Sequence, residues 1–198
     1  MKPSTVLAAA LVLAAALVSA CSPFGAVVGA GTTVGSMAVD ERGVQGSSSD
    51  IAIRAKINAA WYARDAVAFN TVGLLVREGR VVLTGTVATK AFHDGGVADV
   101  KALPEVREIY DHIRIDPDPK FLDYTDDSSM VAAMRKSIFF DKEIKSINFD
   151  IDASAGVLYL LGIAQNQAEK DRVMAYARQV KGVRQIQEYI RVKGAPAP

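Results

Sequence analysis

Three sets of residues in this chain carry side chains that could do chemistry. They are a single thiol at Cys21, two histidines that each adjoin an aspartate (His93-Asp94 and Asp111-His112), and a run of cations and aromatics, Arg135, Lys136, Phe139, Phe140, Lys142 and Lys145. A thiol can be alkylated. An imidazole beside a carboxylate can hold or move a proton. Basic residues among exposed aromatics suit an interface of headgroups and acyl chains, and each Lys or Arg near an anionic surface contributes about 1 kcal/mol. The histidines find no nucleophile or metal-spaced partner, and no phosphate loop, zinc spacing or paired-carboxylate motif stands out. His93-Asp94 therefore reads as a helix-surface pair and His112 as structural. The expectation is a non-enzymatic protein with no catalytic residue, metal or cofactor.

Cys21 is explained by what precedes it. Met1-Lys2 gives a short positive start, and Val6 to Ala20 is a charge-free apolar run of fifteen residues. A membrane-spanning helix needs roughly 20. A positive start, a short apolar stretch and the small residues Val18-Ser19-Ala20 describe a cleavable signal peptide over 1–20. Val18-Ser19-Ala20-Cys21 resembles the lipobox of bacterial lipoproteins, which implies diacylglyceryl attachment at Cys21 and a protein held at its membrane by acyl chains. Ser22 follows where an aspartate would signal inner-membrane retention; by that analogy the inner leaflet of the outer membrane is favoured. The segment 21–47 reads as the lipidated cysteine and a Gly-rich tether, although Gly25, Gly29, Gly31 and Gly35 also allow helix–helix packing.

Removing Lys2 with the leader takes the net charge from +1 to zero, so nothing in the balance points to nucleic acid. Acylation consumes the only thiol, leaving no intramolecular disulfide even in an oxidising compartment.

The elements that must position the basic, aromatic run come from an internal repeat. "GRVVLTG" (79–85) aligns with "GVLYLLG" (156–162) at an offset of 77, and the offset continues without a gap in both directions. Asp50 falls on Asp127, Leu83 on Leu160, Asp94 on Asp171, and Arg107, Ile109, Ile113 and Arg114 on Arg184, Ile186, Ile190 and Arg191. Each copy predicts helix, two strands, helix, strand. Ile53, Ile57 and Trp61 recur at helical spacing behind Asp50, as do Met130, Met134 and Ile138 behind Asp127, and each aspartate is placed to cap its helix. Trp61 falls on the core face, with an interfacial anchor as the alternative reading. Alternation in "INFDI" puts Ile147, Phe149 and Ile151 on one face of a strand, and Gly79 and Gly156 close hairpins. Gly95-Gly96 costs roughly 1 kcal/mol per glycine inside the fourth element of copy one, so that helix is expected to be kinked, frayed or short.

At about 66 residues a copy buries little surface alone, so the two are expected to dock. The fold class is α+β: two tandem αββαβ domains over 48–115 and 125–193, each a small three-stranded mixed sheet with two helices on one face. A proline-containing linker, 116–124, is expected to run extended between them, and 194–198 is a tail.

The order of a Val/Ile-rich strand, "G-x-V/L-x-L-x-G", a helix and "V-x-x-I-x-x-x-I-x-V/I" resembles the BON domain, and two copies behind a lipobox resemble the dual-BON lipoproteins. The resemblance covers essentially the whole mature chain. It implies the αββαβ unit, a lipid-anchored position on the periplasmic face of the outer membrane, and a role in envelope integrity. It further implies that the first helix of the second copy, Ser128 to Phe140, binds anionic phospholipid. The family's lipid-facing helix can carry a tryptophan where this chain has Ser129. Arg135, Lys136, Phe139, Phe140 and Lys142 are the substitute lipid-binding candidates. Against this stands the plainer reading, in which Phe139 and Phe140 fold under the next strand as core, with solvated lysines around them and Asp141 and Glu143 diluting the charge. The other class of function is a protein–protein adaptor of envelope assembly without lipid affinity of its own.

Overall fold

The computed structural model describes residues 43–118 and 121–195; the leader, Cys21 and the glycines of 25–35 lie outside the described residues. The first unit runs α1 (Gly43–Arg64), the short α2 (Ala66–Phe69), β1 (Val72–Arg77), β2 (Arg80–Val87), α3 (Lys90–Lys101), β3 (Glu108–Asp111) and β4 (Arg114–Ile115). The second runs α4 (Phe121–Phe140), a 3-10 turn (Ser146–Asn148), β5 (Phe149–Ser154), β6 (Val157–Ala164), α5 (Gln167–Gln179) and β7 (Gln185–Val192).

In each unit a hairpin is followed by a helix and a third strand parallel to the second. Leu74 faces Leu83 across β1–β2 and Ile151 faces Leu160 across β5–β6, while β3 and β4 run parallel to β2 and β7 parallel to β6. This is the expected α+β unit with a mixed sheet. The third strand of the first unit is interrupted between Asp111 and Arg114, where the Asp111 carboxylate accepts from Ile113 N at 3.1 Å and Gly85 on the facing β2 has a positive φ. Glu188, one methylene longer at the matching position, reaches Ile190 N only at 3.4 Å, and β7 stays whole.

The helices cover one face of each sheet. Ile53, Ile57 and Trp61 of α1 and Val97 and Val100 of α3 pack on Val76, Val81 and Leu83. Met130, Met134 and Ile138 of α4 and Val173 and Ala177 of α5 pack on Ile151, Leu158 and Leu160. Successive strand residues point to opposite faces. Leu75 and Val82 therefore turn away from their own helices and meet Tyr159 and Leu161 from the other unit. The two sheets pack back to back, giving the order helix, sheet, sheet, helix. The docking expected from the small size of each unit is thus a shared third core.

Four local expectations are corrected. Asp50 and Asp127 do not cap helix starts, because α1 begins at Gly43 and α4 at Phe121. The connection expected to run extended over 116–124 is helical from Phe121, and α1 likewise begins within the segment assigned to the tether; both helices run a further turn or more ahead of the apolar stripe that revealed them. Ile147 is not a strand residue. It lies in the 3-10 turn, and β5 starts at Phe149. The Gly95-Gly96 helix is continuous from Lys90 to Lys101. Its glycines let α1 approach: Trp61 Nε1 donates to Gly96 O at 3.0 Å, and a Cβ on Gly96 would lie 3.2 Å from that nitrogen.

Candidate functional site: the aromatic, basic end of α4

The core stripe of α4 ends at Ile138. At 3.6 residues per turn, the next two positions rotate about 100° and 200° away from it. Phe139 and Phe140 accordingly stand in solvent, 71% and 73% exposed, with their rings edge-to-face at 5.4 Å. The reading that folds them under the next strand as core is overturned. Nothing in the sequence signalled this beyond their place off the stripe, because only the path of the following loop decides whether a neighbour covers them.

Lys136 and Lys142 are exposed at the same end of the unit. Arg135 is exposed too, but its guanidinium lies along the sheet edge and donates to Ile151 O at 3.2 Å. Ser129 is exposed, with its hydroxyl donating to Asp126 O at 2.7 Å.

The loop after Phe140 is firmly held. The Asp141 carboxylate accepts from Glu143 N at 2.9 Å and from the Tyr176 hydroxyl at 3.0 Å, and lies 3.5 Å from the Arg172 guanidinium. These donors, the Glu143 amide first, hold the Asp141 carboxyl below the usual range. Asp141 is therefore engaged with α5, which reduces its dilution of the positive patch. Ile144 is buried beneath the loop. Glu169, buried on α5, accepts from Lys145 N at 2.7 Å.

The first unit shows what the same scaffold looks like without this surface. At the offset of 77, Tyr62 replaces Phe139 and is 54% exposed, edge-on to Phe69. Around it Asn58, Ala59, Ala63, Asp65 and Ala68 stand where the second unit has Arg135, Lys136, Phe140, Lys142 and Lys145. Arg64 at this end is held in a bidentate ion pair by Asp99, and Asp65 caps α2 through Val67 N and Ala68 N. Trp61 is core, as its helical face implied.

The histidines sit elsewhere. His93 lies between Asp94, 2.9 Å away, and Asp111, 3.0 Å away. Among the described residues no group of three or more His, Cys, Asp and Glu could hold a metal ion. His112 faces the other unit: its Nε2 is hydrogen-bonded to the Tyr189 hydroxyl at 2.5 Å.

His112 belongs to a polar seam across the two sheets that sequence reasoning missed. Arg80, only 1% exposed, donates to Tyr189 O at 2.7 Å and to Gly162 O at 3.2 Å. Arg77 pairs with Asp150 at 2.8 Å and donates to Ile147 O at 3.1 Å. Thr84 donates to Asp152, Arg191 pairs with Glu108, and Tyr110 stacks on Tyr189 at 4.0 Å. The available signal was asymmetry in the repeat, since Arg77 and Arg80 align with Ser154 and Val157.

The family model for the BON domain matches residues 49–117 and again 126–194. The chain therefore belongs to the BON-domain family, with two copies of the domain. It is similar to a protein of Anaplasma centrale described as an uncharacterized protein in the gshII 5′ region, 37% identical over 73% of this chain and 95% of that one. It is 26% identical to the outer membrane lipoprotein DolP of Haemophilus influenzae, over 81% of this chain and 83% of that one. Osmotically-inducible protein Y of Escherichia coli is likewise 26% identical, over 73% of each chain. Among the described residues no helix is long and apolar enough to cross a membrane.

Proposed function

We propose that this protein is a non-enzymatic, periplasm-facing lipoprotein of the outer membrane, tethered by acylation of Cys21, whose second BON domain engages anionic phospholipid through the end of α4. The observation that carries this reading is the exposed Phe139–Phe140 pair flanked by Lys136 and Lys142, on a scaffold whose twin has Ala63, Ala59 and Asp65 at three of those four positions. Two adjacent aromatic rings in water are costly unless something apolar receives them, and cations beside them favour an anionic headgroup layer. Arg135 adds its charge from the sheet edge. Acyl chains on Cys21 keep the domain near the bilayer, so a weak contact is strengthened by effective concentration. Similarity to an outer membrane lipoprotein supports the compartment, and a role in envelope integrity is in keeping with it.

The test is vesicle flotation of the mature chain carrying Cys21→Ser, with anionic and neutral lipid at two salt concentrations. Binding to anionic vesicles that weakens with salt, and is lost in Phe139→Ser/Phe140→Ser, supports the reading. Absence of binding at both salts leaves the acyl chains as the membrane contact.

A second reading, a protein–protein adaptor of envelope assembly, draws on the first unit. Tyr62 and Val67 are exposed there beside an arginine already paired with Asp99, a surface better matched to protein than to headgroups. Charge reversal at Arg135 and Lys136 separates the two: the lipid reader loses vesicle binding, whereas any incidental vesicle binding by an adaptor survives while its partner pull-down is lost.

A further inference from the structure

The loop that carries Lys142 is clamped at both ends by one helix, α5, and the clamp differs from that of the first unit. Asn166 caps α5 by accepting from Glu169 N at 2.9 Å. In an ordinary capping box the residue three positions on returns a bond to the cap's own amide. Glu169 instead spreads its two carboxylate oxygens, one accepting from Gln165 N at 2.5 Å and the other from Lys145 N at 2.7 Å. One buried carboxylate thus ties the start of α5 to the far end of the loop. Two turns further along α5, the Tyr176 hydroxyl donates to Asp141 and holds the near end. The matching positions of the first unit are Phe92 and Asp99. There Phe92 joins the apolar core, Asp99 binds Arg64, and the connection folds into α2 with Asp65 in place of Lys142.

We infer that Glu169 and Tyr176 are positioning residues of the lipid surface: they fix the 141–145 loop so that Lys142 stands beside Phe139 and Phe140 and selects anionic over zwitterionic headgroups. The inference rests on the proposed lipid-binding function. It adds that selectivity depends on the loop's being held, not only on its having a lysine. A long lysine on a mobile loop loses ordering entropy on contact with a headgroup; a clamped loop has met that cost during folding.

The experiment is flotation of the mature Cys21→Ser chain on vesicles of phosphatidylglycerol and of phosphatidylcholine, with Glu169→Ala, Tyr176→Phe, Lys142→Ser and the combination of each clamp variant with Lys142→Ser. Amide hydrogen exchange at Lys145 and Gln165 runs alongside. Lys142→Ser is expected to lower phosphatidylglycerol binding roughly fivefold and to leave phosphatidylcholine binding unchanged. Glu169→Ala is expected to speed exchange at Lys145 and Gln165 and to reproduce most of that selective loss. Tyr176→Phe, which deletes one hydroxyl and keeps the ring, gives a smaller loss of the same kind. On the Lys142→Ser background neither clamp variant should cost anything further, the signature of residues that act through Lys142.

Equal losses on both vesicle types, or full additivity with Lys142→Ser, would mean that the clamp matters only for folding, and would overturn the inference while leaving the lipid reading intact. Faster exchange at Lys145 with unchanged selectivity overturns it in the same way. Failure of the parent chain to float on phosphatidylglycerol removes the lipid reading itself, and the inference with it.

Discussion

The Asp127 carboxylate accepts from the Gly156 amide at 2.8 Å, reaching from inside α4 to the turn of the β5–β6 hairpin. It also takes Ala155 N at 2.6 Å, and Asp50 repeats the arrangement in the first unit on Glu78 N at 2.8 Å and Gly79 N at 3.0 Å. Both turns need the lock. Glu78 and Gly79, like Ala155 and Gly156, have positive φ, the backbone of a tight type I′ hairpin. A non-glycine residue is strained there, and two bonds from a buried carboxylate hold it in place. Asp127→Ala is expected to destabilise the protein by about 2–3 kcal/mol, because one buried and one half-buried amide lose a charged acceptor. Urea unfolding of Asp127→Ala and Asp50→Ala should give similar losses; a loss in only one would break the equivalence of the two locks.

Arg80 is, with Arg77, one of the buried cations of the sheet–sheet seam. Burial, above all, lowers its pKa, with the nearby Arg191 adding to the effect and Glu78 opposing it. Its guanidinium donates to two carbonyls of the second unit, Tyr189 O and Gly162 O, so truncation removes both of these bonds across the seam and leaves a cavity where the side chain was packed. Arg80→Ala is expected to cost about 3 kcal/mol. It is also expected to split a single unfolding transition into two, as the units lose their shared core. Calorimetry reads both, and an unchanged single transition would show that the apolar contacts of Leu75, Val82, Tyr159 and Leu161 suffice.

Gly95 and Gly96 are adjacent in α3 yet should respond oppositely to alanine. A Cβ on Gly95 meets the flexible end of Arg64, whose ion pair with Asp99 is partly exposed and contributes little. Helix propensity then favours Gly95→Ala by about 0.5–1 kcal/mol. A Cβ on Gly96 meets the ring of Trp61, which is packed on all sides in the core. Overpacking there outweighs propensity, and Gly96→Ala should lose about 1–2 kcal/mol. Thermal melts of the two variants check the pair of signs.

His112 makes the seam sensitive to acid. Burial lowers its pKa in the folded state, a shift that Asp111 partly opposes. Tyr159 packs 5.1 Å away, and the Tyr189 hydroxyl bonded to Nε2 has its own pKa raised by burial. The folded state binds the proton less readily than the unfolded state. Stability from this group is therefore complete above the unfolded value near 6.5 and falls as pH drops through it towards the lowered folded value. A neutral His112→Gln variant should show a flatter melting temperature between pH 7.5 and 5.5 than the parent. An equally steep profile would assign the acid sensitivity to other groups.

Much of the fold is legible along the chain. The 77-residue offset, the helical spacing of Ile53, Ile57, Trp61 and of Met130, Met134, Ile138, and the glycines at the hairpin turns fix two αββαβ units, because they depend on periodicity and local backbone preference. The role of Asp50 and Asp127 was legible only in part. Their type and spacing marked them as backbone acceptors, but their partners lie about 28 residues downstream, in a turn that packing brings to them. At the candidate site the residues themselves could be named from composition and helical phase. Whether Phe139 and Phe140 would be covered could not, since that depends on where the 141–148 segment goes, and Ile144, Asp141 and Glu169 send it away from the rings.

The sequence by itself determined the repeat, the mixed-sheet unit and the positions at which copy two differs from copy one. Tertiary structure decided which faces of those units remain in water. Leu75 and Val82 alternate with the helix-facing residues of their strands, so both faces of each sheet are apolar and neither strand pattern states what lies beyond. The back-to-back packing of the sheets answered that, burying Arg80 and half-burying His112 in a seam and leaving the helix ends as the outer surfaces. Long-range burial is a property of two elements meeting, and no single stretch of sequence encodes it.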